Sequence, residues 1–210
     1  MDHQAWNDRY RQRELVWSAG PNQFVVEHTA GLTPGRALDV ACGEGRNAVW
    51  LAEQGWDVVA TDFSDVAIDK ARQIAEHRGV TIDLRVADAV TGDGFHADHG
   101  GVEPFDLIVV AYLQLPDDEL AVALARAAAM LAPGGTILVI GHHLDNLEEG
   151  HGGPQQPEVL HVPDTVGAHL TRSDPELRIA LVEPVHRVVD TDDGPRTAID
   201  SLVVAVRPAA

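Results

Sequence analysis

A glycine-containing bend between acidic residues is the feature of this sequence best suited to chemistry. Gly43 and Gly45 lie in the stretch DVACGEGRNA. They directly follow a short apolar run that contains Asp39. Glycines permit a tight turn and let a ligand approach the backbone closely. Asp62 and Asp88 end the next two apolar runs. We expect Asp62 to bind a ribose diol and Asp88 to accept from an adenine amino group, so together these residues predict a nucleoside site.

Two classes of ligand fit such a bend. Gly43, Gly45 and Ala48 also satisfy the loose fingerprint of dinucleotide-binding proteins, so a nicotinamide or flavin oxidoreductase is an alternative. A pyrophosphate would be repelled by the carboxylate of Asp39, whereas a cationic ligand would be attracted. The residues therefore favour a positively charged nucleoside.

Histidines that suit proton transfer cluster in the later part of the chain. Four of the 11 histidines are His142, His143, His151 and His161. Histidine titrates near neutral pH, which suits a general base. His142 and His143 directly follow an apolar run, and we predict them as the catalytic residues.

Acidic neighbours of these histidines leave two further roles open. Asp145 lies two residues after His143, and Glu148 and Glu149 follow. A carboxylate there could orient a histidine, or these groups with loop oxygens could hold a divalent cation that chelates acceptor hydroxyls. No compact zinc-type spacing is present, so metal ligands stay unassigned.

Apolar runs that alternate with amphipathic runs must position these residues. Strands are predicted over 36–42, 57–62, 81–88, from 105 and from 136, with helices over 46–54, 64–79 and 117–131. Such alternation implies an α/β fold with parallel strands and helices on both faces of the sheet. The long runs 178–190 and 196–207, joined by TDDGP, predict a C-terminal antiparallel hairpin.

Two segments lie outside this alternation. Residues 1–30 contain Trp6, Tyr10 and Trp17, and we expect a helical cap over one edge of the site, followed by the main domain over 31–210. Residues 144–163 are polar, contain six glycines and prolines, and lack aromatic side chains. We predict that this segment is the acceptor-site loop. Its polarity predicts a hydroxylated acceptor such as a sugar or glycoside, because a flat aromatic acceptor would favour an apolar lining.

Composition limits the partners. The 210 residues carry a formal charge of −18, which repels phosphate backbones and makes nucleic acid a poor partner. No apolar stretch approaches the length of a membrane span and no secretory signal is recognisable, so we expect no membrane partner. The single cysteine, Cys42, fits a reducing cytoplasm. The oligomeric state is open, with a homodimer through the hairpin edge as one alternative.

The sequence resembles the class I S-adenosylmethionine-dependent methyltransferases. The resemblance rests on DVACGEGRN, VVATDFS, RVADA, PFDLIVVAYL and LAPGGTILVIG in this order, over residues 30–141. The N-terminal pattern is most similar to the small-molecule branch, including tellurite-resistance and thiopurine methyltransferases. The resemblance implies a Rossmann-like, seven-stranded, mostly parallel sheet and S-adenosyl-L-methionine as cofactor.

The resemblance also implies roles for individual residues. The methionine half of the cofactor would lie against Asp39, Ala41, Gly43 and Gly45, with Arg46 on its carboxylate. The ribose would lie at Asp62, the adenine at Phe63, Asp88 and Ala89, and the sulfonium over Ala111 and Tyr112, with Trp17 as a further aromatic face. Ala41 departs from the family pattern, which often has glycine there.

Three functions follow as hypotheses. The first is O-methylation of a small hydroxylated acceptor, with His142 or His143 as base and with Tyr10, Tyr112, His143, Asp145 and His151 in contact with the acceptor. The second is methylation of a thiol or of a tellurium or selenium oxyanion, which needs no base. The third is a non-catalytic module that binds S-adenosylmethionine.

Overall fold

The sheet has the strand order that brings the predicted acidic residues to one edge. The computed structural model describes residues 3–12, 20–95 and 103–209. Seven strands form one sheet in the order β3-β2-β1-β4-β5-β7-β6. Their bounds are Arg36–Val40 (β1), Asp57–Asp62 (β2), Asp83–Val86 (β3), Phe105–Ala111 (β4), Leu131–His142 (β5), Arg178–Val189 (β6) and Arg196–Val206 (β7). The prediction of a Rossmann-like, mostly parallel sheet with a closing antiparallel hairpin is confirmed.

The described helices cover both faces of the sheet. They are His3–Arg11 (α1), Gln23–Thr29 (α2), Arg46–Glu53 (α3), Asp65–Arg78 (α4), Asp117–Ala129 (α5) and Pro163–Ser173 (α6). Leu124 of α5 and Leu170 of α6 belong to one buried cluster, whereas Phe24 of α2, Leu51 of α3 and Ile68 of α4 belong to another. Burial of both faces explains why β4 is a nearly continuous apolar run.

Local signals in the sequence account for the helix ends near the site. Ser64 caps α4, because its side chain accepts from the amide of Ala67, and Gly79 ends that helix in the left-handed conformation. Gly45 precedes α3 with φ 80°, a conformation that favours glycine. The conformation of the turn between β1 and α3 therefore depends on a glycine that can be recognised in the sequence.

The sheet reverses its order between β1 and β4. From β1 the chain proceeds outward to β2 and β3, and then returns to β4 on the other side of β1. Ligands of open α/β sheets bind beyond the carboxyl ends of the strands at such a switch point. The candidate site is therefore expected beyond Val40 and Ala111.

Several predicted boundaries were wrong. β1 ends at Val40 instead of Cys42, because Ala41 turns into the left-handed region. β3 is shorter than predicted, and α5 ends at Ala129 instead of residue 131. β5 begins at Leu131 instead of Thr136, with a register shift between Phe105 and Leu107 of β4. The segment 144–163 is not structureless, because it contains the 3₁₀ helices Leu144–Leu147 and Pro157–Val159.

A membrane-spanning helix is absent from the described ranges, since none of the helices there is long and apolar enough to cross a bilayer.

Candidate active site

A cavity of about 330 Å³ opens at the carboxyl ends of β1, β2 and β4. Ten of the predicted site residues line it: Tyr10, Ala41, Gly43, Arg46, Asp62, Phe63, Asp88, Ala89, Ala111 and Tyr112. Its size lies in the range of small-molecule sites, which is about 300–1,000 Å³. Residues more than 100 positions apart in sequence thus meet in one place.

The glycine bend forms one wall of this cavity. Gly43, with φ 57°, donates its amide to Asp62 Oδ2 at 2.9 Å. A Cβ atom on Gly45 would lie 3.0 Å from the Cβ of Ala71 on α4. Gly45 does not line the cavity itself, and its absent side chain lets α4 pack against the bend.

An ion pair fixes the outer side of the bend. Lys70 Nζ lies 3.1 Å from Glu44 Oε1, and the side chain of Glu44 is buried. Lys70 is the one lysine of the sequence. The pair joins α4 to the residue between the two glycines and helps to hold the bend in place.

Ala41 occupies a backbone conformation that disfavours a side chain. Its φ is 55°, and Tyr112, at the end of the neighbouring β4, has φ 58°. The left-handed conformation costs an L-residue about 1–2 kcal/mol, and such strain clusters at functional sites. Both residues flank the switch point, so the strain lies on the two sides of the cavity.

We expect Ala41→Gly to raise the free energy of unfolding by about 0.5–1 kcal/mol. Relief of the left-handed strain outweighs the larger chain entropy that glycine loses on folding. Urea unfolding measures the change. Ala52→Gly in α3 is the matched control and should lower stability by about 1 kcal/mol. A destabilised Ala41→Gly variant would contradict the strain argument.

The two acidic strand ends hold backbone amides. Asp62 accepts from the amides of Gly43 and Ser64, each at 2.9 Å, and is buried. Asp88 Oδ1 accepts from the amides of Val90 at 2.7 Å and Thr91 at 3.1 Å. A carboxylate offers about four lone-pair directions, so both groups keep capacity for a ligand.

Asp39 is a buried carboxyl group without a side-chain hydrogen bond in the part of the chain that the structure describes. It is 1% exposed, and neither carboxyl oxygen has a partner of good hydrogen-bond geometry there. Burial raises the pKa of Asp39 from 3.8 to about 7, although the Ala48 amide and the charge of Arg46 act in the opposite direction. Asp39 lies outside the cavity lining. A carboxyl group left in this state is arranged for a cationic partner.

Tyr112 connects the cavity with a second polar group. Its hydroxyl donates to Asp200 Oδ2 at 2.7 Å and accepts from Asn22 Nδ2 at 3.0 Å. Burial, together with the nearby charge of Asp200, raises the pKa of Tyr112. The phenol therefore stays protonated near neutral pH and does not serve as a base.

Two guanidinium groups lie near the Tyr112 ring. The Cζ atoms of Arg46 and Arg187 are each 5.7 Å from its centroid. Burial lowers the pKa of Arg46, with the charge of Arg187 acting in the same direction. Arg187 Nε donates to Asp200 Oδ2 at 2.8 Å. Because Arg46 lines the cavity, it can pair with an anionic part of a ligand.

Helix α1 covers one side of the cavity. Trp6 and Tyr10 line it, with their ring centroids 5.6 Å apart. Asn7 donates to Asp65 at 2.8 Å and accepts from the hydroxyl of Ser64, which docks α1 on the start of α4. Trp17, predicted as a further aromatic face, lies outside the described residues. The predicted cap over residues 1–30 stays a prediction beyond these contacts.

Of the predicted acceptor-side residues, Tyr10 and Tyr112 line the cavity, whereas the histidines and Asp145 do not. His143 Nδ1 accepts from the amide of Asp145 at 3.0 Å and caps the first 3₁₀ helix. His142 contacts the Tyr112 ring, with centroids 4.7 Å apart. His142, His143, Asp145 and His151 all lie outside the lining, and so does the rest of 144–163. Their catalytic and acceptor-binding roles stay predictions.

Several residues of the site were missed. Asn22, Arg187 and Asp200 contact or approach Tyr112, and Asn47 lines the cavity while accepting from the amide of Asn22 at 2.9 Å. Asp200 had a signal, because it interrupts the apolar run of β7. The other three occur in ordinary contexts that carry no such signal.

No metal centre is apparent among the residues described. There, no three His, Cys, Asp or Glu side chains are close enough to hold an ion. The divalent cation considered from the sequence has no support.

Comparison with known proteins tests the resemblance independently of this geometry. A family profile described as "Methyltransferase domain" matches residues 37–135, the segment that builds the glycine bend, β2 and β4. Together with the fold, this match identifies residues 37–135 as a class I S-adenosylmethionine-dependent methyltransferase domain. The recognition made from the sequence motifs is confirmed.

The names of the relatives contain different methyl acceptors. It is 32% identical over 114 residues to a tRNA 5-carboxymethoxyuridine methyltransferase of Escherichia coli (strain K12), covering 53% of this chain and 42% of the relative. It is also 30% identical over 167 residues to a 2-heptyl-1-hydroxyquinolin-4(1H)-one methyltransferase of Mycobacteroides abscessus. That match covers 77% of this chain and 64% of the relative. The matches thus span less than two thirds of these relatives.

A solved structure supports the fold over the whole chain. The structure described as "Conversion of a Disulfide Bond into a Thioacetal Group during Echinomycin Biosynthesis" has a TM-score of 0.75. It covers 98% of this chain and 92% of that one, at 22% identity. At this identity the likeness concerns the fold alone.

The site of this methyltransferase fits the family's cofactor. The orphaned carboxyl group of Asp39 suits the ammonium group of S-adenosylmethionine, and Asp62 suits the ribose hydroxyls. Phe63, Asp88 and Ala89 line the cavity with an apolar and a polar surface that would suit the adenine. The predicted cofactor residues that line the cavity are therefore chemically consistent with that ligand.

Proposed function

We propose that this protein transfers a methyl group from S-adenosylmethionine to a hydroxyl oxygen of a small molecule. The observation that carries the proposal is the buried carboxyl group of Asp39, which has no side-chain hydrogen bond among the described residues, near a cavity lined by Gly43, Asp62 and Asp88. A cationic nucleoside suits this set of acidic groups, whereas a pyrophosphate would be repelled by them.

The residues divide the cofactor between them. Asp39 and Arg46 suit the charged amino and carboxylate groups of its methionine part, and Asp62 suits the ribose diol. When bound, the cofactor supplies an activated methyl group on a cationic sulfur. The aromatic face of Tyr112 can stabilise this positive charge. Because the chain fixes the geometry, positioning supplies roughly 7–11 kcal/mol of barrier reduction.

The acceptor must lose a proton if its reacting atom is oxygen. A positioned general base contributes about 10²–10⁴-fold to such a step. His142, 4.7 Å from the Tyr112 ring between centroids, is the histidine of the predicted pair that lies against the cavity wall. His143 is occupied by the amide of Asp145. We therefore assign the base to His142 and give His143 a structural role.

The chemical class of the acceptor follows from the cavity and the surface charge. A net charge of −18 disfavours nucleic acid, even though one relative is named for tRNA. The Mycobacteroides abscessus relative is named for a small molecule that carries a hydroxyl group. A small hydroxylated acceptor, with the sugar or glycoside class among the candidates, is thus preferred. The cytoplasm supplies the cofactor and suits the single buried cysteine, Cys42.

Binding and turnover test the proposal separately. Isothermal titration is expected to give one site for S-adenosylhomocysteine and no binding of NAD. Mass spectrometry of a panel of sugars, glycosides and hydroxylated heterocycles is expected to find a product with one added methyl group. NAD binding without S-adenosylhomocysteine binding contradicts the assignment of the cavity. Tight cofactor binding without turnover on any acceptor would instead indicate a non-catalytic binding module.

One observation favours methylation of a soft nucleophile as the second candidate. Neither His142 nor His143 lines the cavity, and a thiol or a tellurium or selenium oxyanion needs no general base. Thiols and tellurite therefore belong in the same acceptor panel.

A further inference from the structure

A buried carboxylate lies at the centre of the polar group behind Tyr112. Asp200 is 0% exposed and is paired with His142 across the antiparallel strands β5 and β7. Its Oδ2 atom accepts from Tyr112 Oη at 2.7 Å and from Arg187 Nε at 2.8 Å. Its Oδ1 atom lies 3.3 Å from Nδ1 of His142. The two oxygens thus face different side chains.

Asp200 remains ionised in this environment. Burial by itself raises the pKa of Asp200, but the interactions with His142, Arg187 and Tyr112 outweigh it and lower the pKa below 3.8. A buried charge costs several kcal/mol of desolvation and is not by itself a gain in stability. The position of Asp200 between Tyr112 and His142 therefore says more about its function than its ion pair with Arg187 does.

The contacts of His142 determine what its ring can do. Nδ1 faces Asp200, and a ring nitrogen that faces a carboxylate keeps its proton. The unshared electron pair of a neutral ring then lies on Nε2. The 3.3 Å approach of Nδ1 to Asp200 does not by itself meet hydrogen-bond geometry. Hydrogen bonds in active sites are often poorly aligned without substrate and tighten when substrate binds, so the distance is compatible with this role.

We propose that Asp200 is a positioning residue of the active site, with one carboxylate oxygen orienting Tyr112 at the cavity and the other holding His142 with its basic nitrogen at Nε2. The inference rests on the proposed O-methylation. In that reaction Nε2 accepts the proton of the acceptor hydroxyl while the oxygen forms a bond to the methyl carbon. The bond from carbon to sulfur breaks, its electron pair stays on sulfur, and His142 later releases the proton to water.

Other polar groups also surround His142. Arg187 of β6 and Tyr112, the residue after β4, share Asp200 with it, and His161 lies on the neighbouring segment. Gly153 lies close to the ring and brings no charge. Among these groups Asp200 is the anion.

Nitrogen-15 NMR of the histidine rings tests the inference directly. In the wild-type protein we expect neutral His142 as the Nδ1–H tautomer, assigned by loss of its signals in His142→Asn. In Asp200→Asn we expect a shift toward the Nε2–H form. A wild-type ring protonated on Nε2, or a tautomer that Asp200→Asn leaves unchanged, overturns the inference. The wild-type measurement decides the question even if the variant does not fold.

Kinetics provide the second readout. Asp200→Asn should lower kcat by about tenfold or more, because His142 is no longer held with Nε2 toward the acceptor. KM for the cofactor should stay within about threefold, because the residues assigned to the cofactor are unchanged.

A control variant separates positioning from the loss of an ion pair as such. Asp174 is held by Arg207 away from the cavity, so Asp174→Asn should lower stability but leave kcat, its pH profile and the His142 tautomer unchanged. Failure of the wild-type protein to methylate any oxygen acceptor, with cofactor binding intact, counts against the proposed function. An unchanged tautomer in Asp200→Asn counts against the inference, so the two failures are distinguishable.

Discussion

Asp39→Asn should make the cofactor-free protein more stable at pH 8 and weaken its binding of S-adenosylhomocysteine. Burial raises the pKa of Asp39 in the folded protein from 3.8 to about 7. The folded state therefore binds the proton more tightly than the unfolded state. Stability from this group is fully present below pH 3.8, falls as the pH rises toward 7, and is lost above that value.

The size of this effect follows from the linkage between protons and folding. A shift of about three pKa units corresponds to roughly 4 kcal/mol, and a buried amide recovers part of it. We expect a gain of about 2–4 kcal/mol for Asp39→Asn at pH 8 and a small change near pH 4. Urea unfolding at both pH values provides the measurement.

Affinity for the cofactor should change in the opposite direction. Removal of one charge from a buried charge pair costs about 2–5 kcal/mol, so the Kd of S-adenosylhomocysteine should rise by about thirtyfold or more. Asp106→Asn, at an exposed position near the amino end of β4, is the matched control and should leave affinity unchanged. Unaltered affinity in Asp39→Asn would show that the cofactor's ammonium group lies elsewhere.

His161 acts against Asp39 over nearly the same pH range. Burial lowers the pKa of His161 from 6.5 to about 4, with a hydrogen bond to the Leu113 backbone partly offsetting it. Its contribution to stability is fully present above pH 6.5 and is lost as the pH falls toward 4. The free energy of unfolding of the wild-type protein should therefore change little between about pH 4 and pH 7. In Asp39→Asn only the contribution of His161 remains, so the free energy of unfolding should fall as the pH decreases. The pH dependence of unfolding, compared between the two proteins, tests this prediction.

His142→Ala should lower turnover on an oxygen acceptor by about a hundredfold or more, because the acceptor hydroxyl loses its base. His143→Ala should leave turnover within about threefold and cost about 1 kcal/mol of stability, because its ring caps the first 3₁₀ helix. Steady-state kinetics at saturating cofactor, with thermal unfolding of each variant, measure both effects.

His186→Ala, an exposed histidine of β6, controls for nonspecific effects of histidine removal. If His142→Ala retains turnover on the best acceptor, His142 is not the base, and a soft nucleophile becomes the preferred acceptor. A large loss in His143→Ala alone would reverse the assignment of the two histidines.

The cofactor side of the site was accessible from the sequence for a physical reason. Asp62 ends β2 and Asp88 lies two residues after β3, and parallel strands bring their carboxyl ends to one edge of the sheet. Local patterns that predict strands therefore also predict which strand-end residues meet. The same logic placed His142 at the end of β5, but it gave no information on the direction of its side chain.

The sequence alone determined the alternation of strands and helices, the glycine bend and the family, because these depend on local conformation and short spacings. The tertiary structure decided that Asn22, Arg187 and Asp200 meet at Tyr112, and that the polar segment 144–163 does not line the cavity. Tyr112 and Asp200 are 88 residues apart, and their contact depends on the order of β4, β5 and β7 and on the antiparallel register. No local pattern encodes that register, since a shift of one residue would turn Asp200 to the other face of the sheet.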